Sequence, residues 1–166
     1  MAKPGIERTV RLSLLDRLTD EHPDLGADPV MRFQESRDRM LISLRRDLEW
    51  LLNTHRGQDV EPEEFEELRR SLYCYGLPDV SAVSRDSADA HARLLRQVKE
   101  AIVAFEPRLA NVRVSEAPLP AGDAKREVRF VIHGLLRIDP NPEQVVFDTV
   151  LELTSGAYEV KGGRDA

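Results

Sequence analysis

The proline of Phe105-Glu106-Pro107-Arg108 divides this chain more sharply than any other residue. Proline disfavours the α region for the residue before it, so the helical apolar pattern running up to Phe105 must end at Glu106. Beyond it, Leu109-Ala110-Asn111-Val112-Arg113-Val114 reads as a strand. Residues two apart in extended backbone share a face, which puts Glu106 and Arg108 on one side, in register with Val112 and Val114. A carboxylate and a guanidinium therefore stand at the rim of an apolar face. Glu106 also lies at the negative end of a helix, where a carboxylate is disfavoured unless a cation or donors compensate. A sequence that accepts such a local conflict uses the group for function or for its own architecture.

Before the proline the pattern is helical. Leu41, Leu44, Leu48, Leu51 and Leu52 recur at helical spacing and predict a first long helix from about Ser36 to Thr54, with Gly57 as a stop. Pro62, Glu63 and Glu64 open a second helix, Val60 staples Phe65, and Gly76 with Pro78 ends it. Phe65, Leu68, Leu72 and Tyr75 are expected to face inward, and Tyr73 to sit with Tyr75 at the core edge. A third helix follows Ser84 and carries Ala88, Leu95, Val98, Ile102 and Phe105 on one side. After the proline the period changes to two. Val128, Phe130, Ile132 and Leu136 mark a second strand, and Val145, Phe147, Leu151 and Leu153 a third. Asp139-Pro140-Asn141-Pro142 is the turn between them. Tyr158-Glu159-Val160 makes a short last strand before a Gly-Gly tail. Helices followed by strands give the α+β class: three helices packed on a small, mainly antiparallel sheet, with an N-terminal docking arm.

That arm is residues 1–32, the domain 33–160 and the tail 161–166. Ser13 caps a helix of about one and a half turns carrying Leu14, Leu15 and Leu18, too short to be stable in water unless it packs on something. Pro23 and Pro29 then break the chain among acidic residues. The arm is expected to order on a neighbouring protein rather than on this domain. A net charge of −6 argues against nucleic acid or an anionic membrane as the main partner. Cys74 is the single cysteine, so no disulfide framework forms within the chain, as in a reducing compartment. No apolar run is long enough for a signal peptide or a membrane span.

The residues give little catalytic chemistry. His22, His55, His91 and His133 are scattered without ligand spacing, so no metal and no cofactor is expected, and His133 reads as a packed strand residue. No phosphate loop or nucleophile elbow is present, and no small-molecule substrate is implied. Glu106 with Asp148 as glycosidase acids is a weak reading; it requires two carboxylates about 5–10 Å apart across a cleft. The Arg37-Asp38-Arg39 and Arg45-Arg46 clusters read as a solvated helix face.

Three signatures in order then match a known family. Glu106-Pro107-Arg108 after an amphipathic helix resembles the hallmark tripeptide of the lysozyme-like baseplate wedge family of contractile tails. Ser71-Leu72-Tyr73-Cys74-Tyr75-Gly76-Leu77-Pro78-Asp79-Val80 resembles its segment between the middle helices. Ser13-Leu14-Leu15-Asp16-Arg17-Leu18 resembles the N-terminal signature of its type VI secretion members, the TssE-like proteins. The resemblance spans about residues 12–160 and implies a structural, non-enzymatic subunit of a cytoplasmic baseplate at the inner face of the membrane. It implies partners among the other wedge proteins (TssF, TssG, TssK) and the sheath subunits (TssB, TssC), with Glu106, Pro107, Arg108, Leu14, Leu15 and Leu18 as interaction residues. The other readings are a cell-wall glycosidase and the wedge protein of a phage-like tail. Read as an exposed pair, Glu106 and Arg108 would add at most about 1 kcal/mol to stability, and the isolated domain would survive their loss.

Overall fold

The computed structural model describes residues 12–19, 23–24, 26, 32–57, 65–78, 88–118, 127–139 and 141–165. Helix α1 spans Leu14–Leu18, α2 Phe33–Asn53, α3 Glu66–Arg69 and α4 Ala88–Phe105, with one 3-10 turn at Leu72–Cys74. Strands β1 (Leu109–Glu116), β2 (Glu127–Leu136), β3 (Glu143–Glu152) and β4 (Tyr158–Asp165) form one antiparallel sheet in the order β1-β2-β3-β4. This is an α+β domain, with α2 packed on β4 and α4 on β1.

One core joins the two layers. The expected leucines of α2 are all buried, and Met40, one turn before Leu44, joins them. On α4, Leu94, Val98, Ala101 and Ile102 are buried, while Leu95 and Phe105 pack at the margin. The period-two alternation holds through Val128, Phe130 and Ile132 of β2 and through Val145, Phe147 and Leu151 of β3. Asn53 fixes the sheet to the end of α2. Its side chain donates to the Tyr158 carbonyl at 2.8 Å and accepts from the Tyr158 amide at 2.9 Å, closing a two-way clamp.

Several expectations change. The second helix is one α-turn and one 3-10 turn, and Phe65 and Leu72 are exposed rather than buried. Leu68 is half-buried, and Cys74 and Leu77 are the residues this segment commits to the core. A helix of four residues shows too little periodicity to distinguish its faces. The start signals at Val60 and Pro62–Glu64 lie outside the described residues, as do Pro29 and the Ser84 cap. Tyr75 does sit at the core edge, its ring edge-on to Phe105 at 5.2 Å, but Tyr73 is about half exposed. His133 points to solvent, because its β2 neighbours Ile132 and Gly134 take the core face.

At the far end, Gly162 and Gly163 belong to β4 rather than to a tail. Both have φ +97°, and they absorb the register shift opposite Val146 and Phe147. A Cβ on Gly163 would lie 3.3 Å from the Phe147 ring, so the pairing needs glycine there. The β1 register also breaks, between Ala110 and Arg113, where Asn111 adopts φ 52°. Asn tolerates this left-handed conformation better than most residues. The bulge inverts the alternation, so Leu109 and Val112 both face the core. Glu106 and Arg108 are therefore not in simple register with Val112 and Val114.

Candidate functional site

The turn that leads α4 into β1 holds the site. The Glu106 amide makes the last helical hydrogen bond, to the Ile102 carbonyl at 2.8 Å, and the Leu109 amide returns to the Glu106 carbonyl at 3.2 Å. Pro107 lies at the exposed apex. The Glu106 carboxylate folds inward: Oε1 accepts from the Arg108 amide at 3.2 Å and from its Nε at 2.6 Å, and Oε2 accepts from Nη2 at 2.5 Å. This is the forked, charge-assisted geometry that only a guanidinium provides.

The guanidinium also reaches α2. Nη2 donates to Asp47 Oδ2 at 2.7 Å and Nη1 to Ser43 Oγ at 3.2 Å. Asp47 Oδ1 accepts from Arg46 at 2.9 and 3.1 Å, and Arg46 Nη1 donates to Asp16 Oδ1 of α1 at 2.8 Å. Signs alternate along the chain Asp16–Arg46–Asp47–Arg108–Glu106, which ties α1, α2 and the turn into one network. Glu106 is only 5% exposed. Burial would lower the Arg108 pKa, but its bonds to Glu106 and Asp47 outweigh this and raise it, so the cation is secure. Burial, and then the fields of Asp47 and Glu106, push the Tyr75 phenol up.

The expectation of an exposed Glu106–Arg108 pair is thus overturned; the pair is internal and supports the fold. The missing information was the approach of α2. Its signal was present in the sequence, because Ser43 and Asp47 stand four apart beside the apolar stripe of α2, at Leu44 and Leu48. Arg46, read as part of a solvated face, lies half-buried in the same network and stacks over Trp50, 5.0 Å from the ring centroid.

α1 is also placed differently from expectation. Asp16 pairs with Arg46 and Leu12 packs on the core, so the segment is seated on this domain. Its apolar side faces outward, with Leu14, Leu15 and Leu18 exposed by 69%, 45% and 75%. Between α1 and the turn runs a groove of about 510 Å³, walled by Leu12, Leu15, Trp50, Leu51, Tyr75 and Phe105, with the Glu106-Pro107-Arg108 turn along one side.

Asp16 supplies a direct check on the network. Burial would raise its pKa, but hydrogen bonds from Ser13 and Ser43 and the pairing with Arg46 prevail and hold it at about 2, below the ordinary 3.8 of an aspartate. A depressed carboxylate stabilises the fold fully above the unfolded value and loses that contribution as pH falls through the folded one. An NMR titration of the Asp16 carboxyl carbon should therefore have its midpoint near 2; a midpoint near 3.8 would mean that the contact is not made.

The carboxylates of Glu106 and Asp148 do not face a common cleft: Glu106 is buried against Arg108, and Asp148 lies on the solvent face of β3. Among the described residues, no three His, Cys, Asp or Glu side chains come together to hold a metal ion. No helix among them is long and apolar enough to cross a membrane.

The structure is a small helix-on-sheet domain with an ion network at its helix-to-strand turn, and among the described residues β1 and β4 are the edges of the sheet. The model of the baseplate wedge protein gp25 family matches residues 38–141, and the chain belongs to that family. Its role is accordingly structural, in the baseplate of a contractile tail. Comparisons with curated proteins and with solved structures returned no match.

Proposed function

We propose that this chain is the TssE-like wedge subunit of a type VI secretion baseplate, a structural protein without hydrolase activity, on which the contractile sheath begins to polymerise. Its partners in this reading are the wedge proteins TssF, TssG and TssK and the sheath subunits TssB and TssC, at the cytoplasmic face of the inner membrane. The observation that carries the reading is α1: a TssE-like signature whose leucines are presented outward while its polar side is seated on α2. Leu14 and Leu18, held in solvent, and the half-exposed Leu15 cost free energy that a partner surface recovers on burial. β1 and β4 are the edges of the sheet among the described residues, the positions at which a sheath subunit would add a strand. A phage-like tail would use the same domain; the α1 signature favours the secretion system.

The test is a Leu14→Glu/Leu18→Glu variant. Both side chains are exposed, so stability should change by no more than about 0.5 kcal/mol. Co-purification with the other wedge proteins should be lost, and fluorescent sheaths should be absent from cells. Normal sheaths in this variant would refute the assignment of α1 as a docking element.

A further inference from the structure

α1 is held in an unusual way. An amphipathic helix normally seats its apolar face and leaves its charges in water. Here the polar side is seated: no residue of α1 is buried, Leu14 and Leu18 point outward, and Leu15 only lines the groove. The helix itself is anchored by Asp16 on Arg46, with Leu12 packing on the core just ahead of it. Five residues cannot sustain a helix alone, so the helical state of α1 reports whether it is seated. When seated, Leu12, Ser13 and Leu15 form one wall of the groove whose other side is the Glu106-Pro107-Arg108 turn. Arg46 is shared: it also binds Asp47, which binds Arg108. The element that fixes the wall is therefore the element that touches the turn's network.

We propose that α1 is an ion-pair-latched wall, and that its seating and release switch the groove beside Glu106-Pro107-Arg108 between a walled and an open state. The inference deepens the reading of α1 as a docking element and rests on it for its biological use. A partner that binds the walled groove favours seating, and by linkage a seated α1 strengthens that partner's binding by the same factor. A partner that takes the leucines away from the domain opens the groove instead. Because the latch is ionic and part-exposed, salt weakens it, which an apolar anchor would not show.

Two readouts follow the latch in the isolated full chain, independently of any sheath. The amides of Arg17 and Thr19 donate to the Ser13 and Leu15 carbonyls only while α1 is helical, and their hydrogen exchange measures release. Trp50, the single tryptophan, lines the groove with Leu15, and acrylamide quenching measures its exposure. Asp16→Asn should speed exchange at both amides roughly three- to fivefold and raise quenching of Trp50, with α2 and α4 unchanged. In the unmodified chain 1 M NaCl should reproduce this effect, and in Asp16→Asn it should add little. Leu15→Ala should do less than Asp16→Asn. If Leu15→Ala releases α1 while Asp16→Asn does not, packing holds the wall and the proposal falls. Unchanged exchange in Asp16→Asn, or loss of protection throughout α2 and α4, would overturn it equally.

Discussion

Arg108→Ala is expected to destabilise the isolated domain by about 3 kcal/mol, lowering the thermal midpoint by roughly 10 °C. The loss is not that of a surface ion pair. Glu106 is nine-tenths or more buried and accepts from Arg108 through the backbone amide and two guanidinium nitrogens. Removing the guanidinium leaves a carboxylate in a site where nothing described replaces those two donors, and it takes one of Asp47's two cationic partners as well. Arg108→Lys should recover only part of the loss, because a single ammonium cannot span Glu106, Asp47 and Ser43 together. Replacing both charges, as Glu106→Gln/Arg108→Met, should cost less than Arg108→Ala, since no buried charge is then stranded. Denaturant midpoints of the three variants decide the matter. A midpoint for Arg108→Ala within error of the unmodified protein would mean that the network contributes nothing to folding. The expectation also governs how assembly phenotypes are read. Under the proposed function, a missing sheath in Arg108→Ala would report the fold first, which is why the α1 leucines make the cleaner test of the proposed docking.

The sequence displayed most of the fold because its long elements have unbroken periods. The leucines of α2 and the alternation of β2 and β3 are each long enough for the period to distinguish helix from strand and inside from outside. Legibility failed where one residue resets the pattern. Asn111 inserts a bulge and inverts the faces of β1, and Gly162 and Gly163 turn an apparent tail into a paired strand. It also failed where elements are short, as at α3, whose single turn exposes Phe65. The site was half visible. The Glu106-Pro107-Arg108 turn and its shared carboxylate and guanidinium were evident from the proline. Their burial was not, because it depends on Asp47 and Ser43 arriving from 61 and 65 residues away. The leucines of α1 could be named from the sequence and are exposed, but the seat of their helix, Asp16 on Arg46, is a long-range ionic contact without a local signature.

Gly76→Ala should be the second severe variant, costing about 3 kcal/mol or more, although in the sequence this residue reads only as a helix stop. Its φ is +103°, which an L side chain rarely adopts, and a Cβ there would lie 2.2 Å from the Thr54 carbonyl oxygen and 2.8 Å from its carbon. These are backbone atoms and cannot rotate away. They are also engaged, since the Leu77 amide donates to the Thr54 carbonyl at 2.9 Å and the Arg56 amide to the Leu77 carbonyl at 2.8 Å. Backbone strain and overpacking each cost about 1–3 kcal/mol, and here both act on one atom. Relief requires parting the bridge between His55 and Leu77, which lifts Leu77 from the core and Tyr75 from its ring contact with Phe105. Tyr75 is a wall of the groove, so the damage reaches the site through the fold. Two controls separate this mechanism from a general intolerance of alanine. Gly57→Ala meets no atom within 4 Å and should change stability by no more than about 0.5 kcal/mol. Gly156→Ala has φ +72° in open space and should cost about 1 kcal/mol from backbone strain alone. If urea unfolding places Gly76→Ala level with Gly156→Ala, the close approach to Thr54 is not rigid, and the segment 71–78 moves away from α2 at little cost.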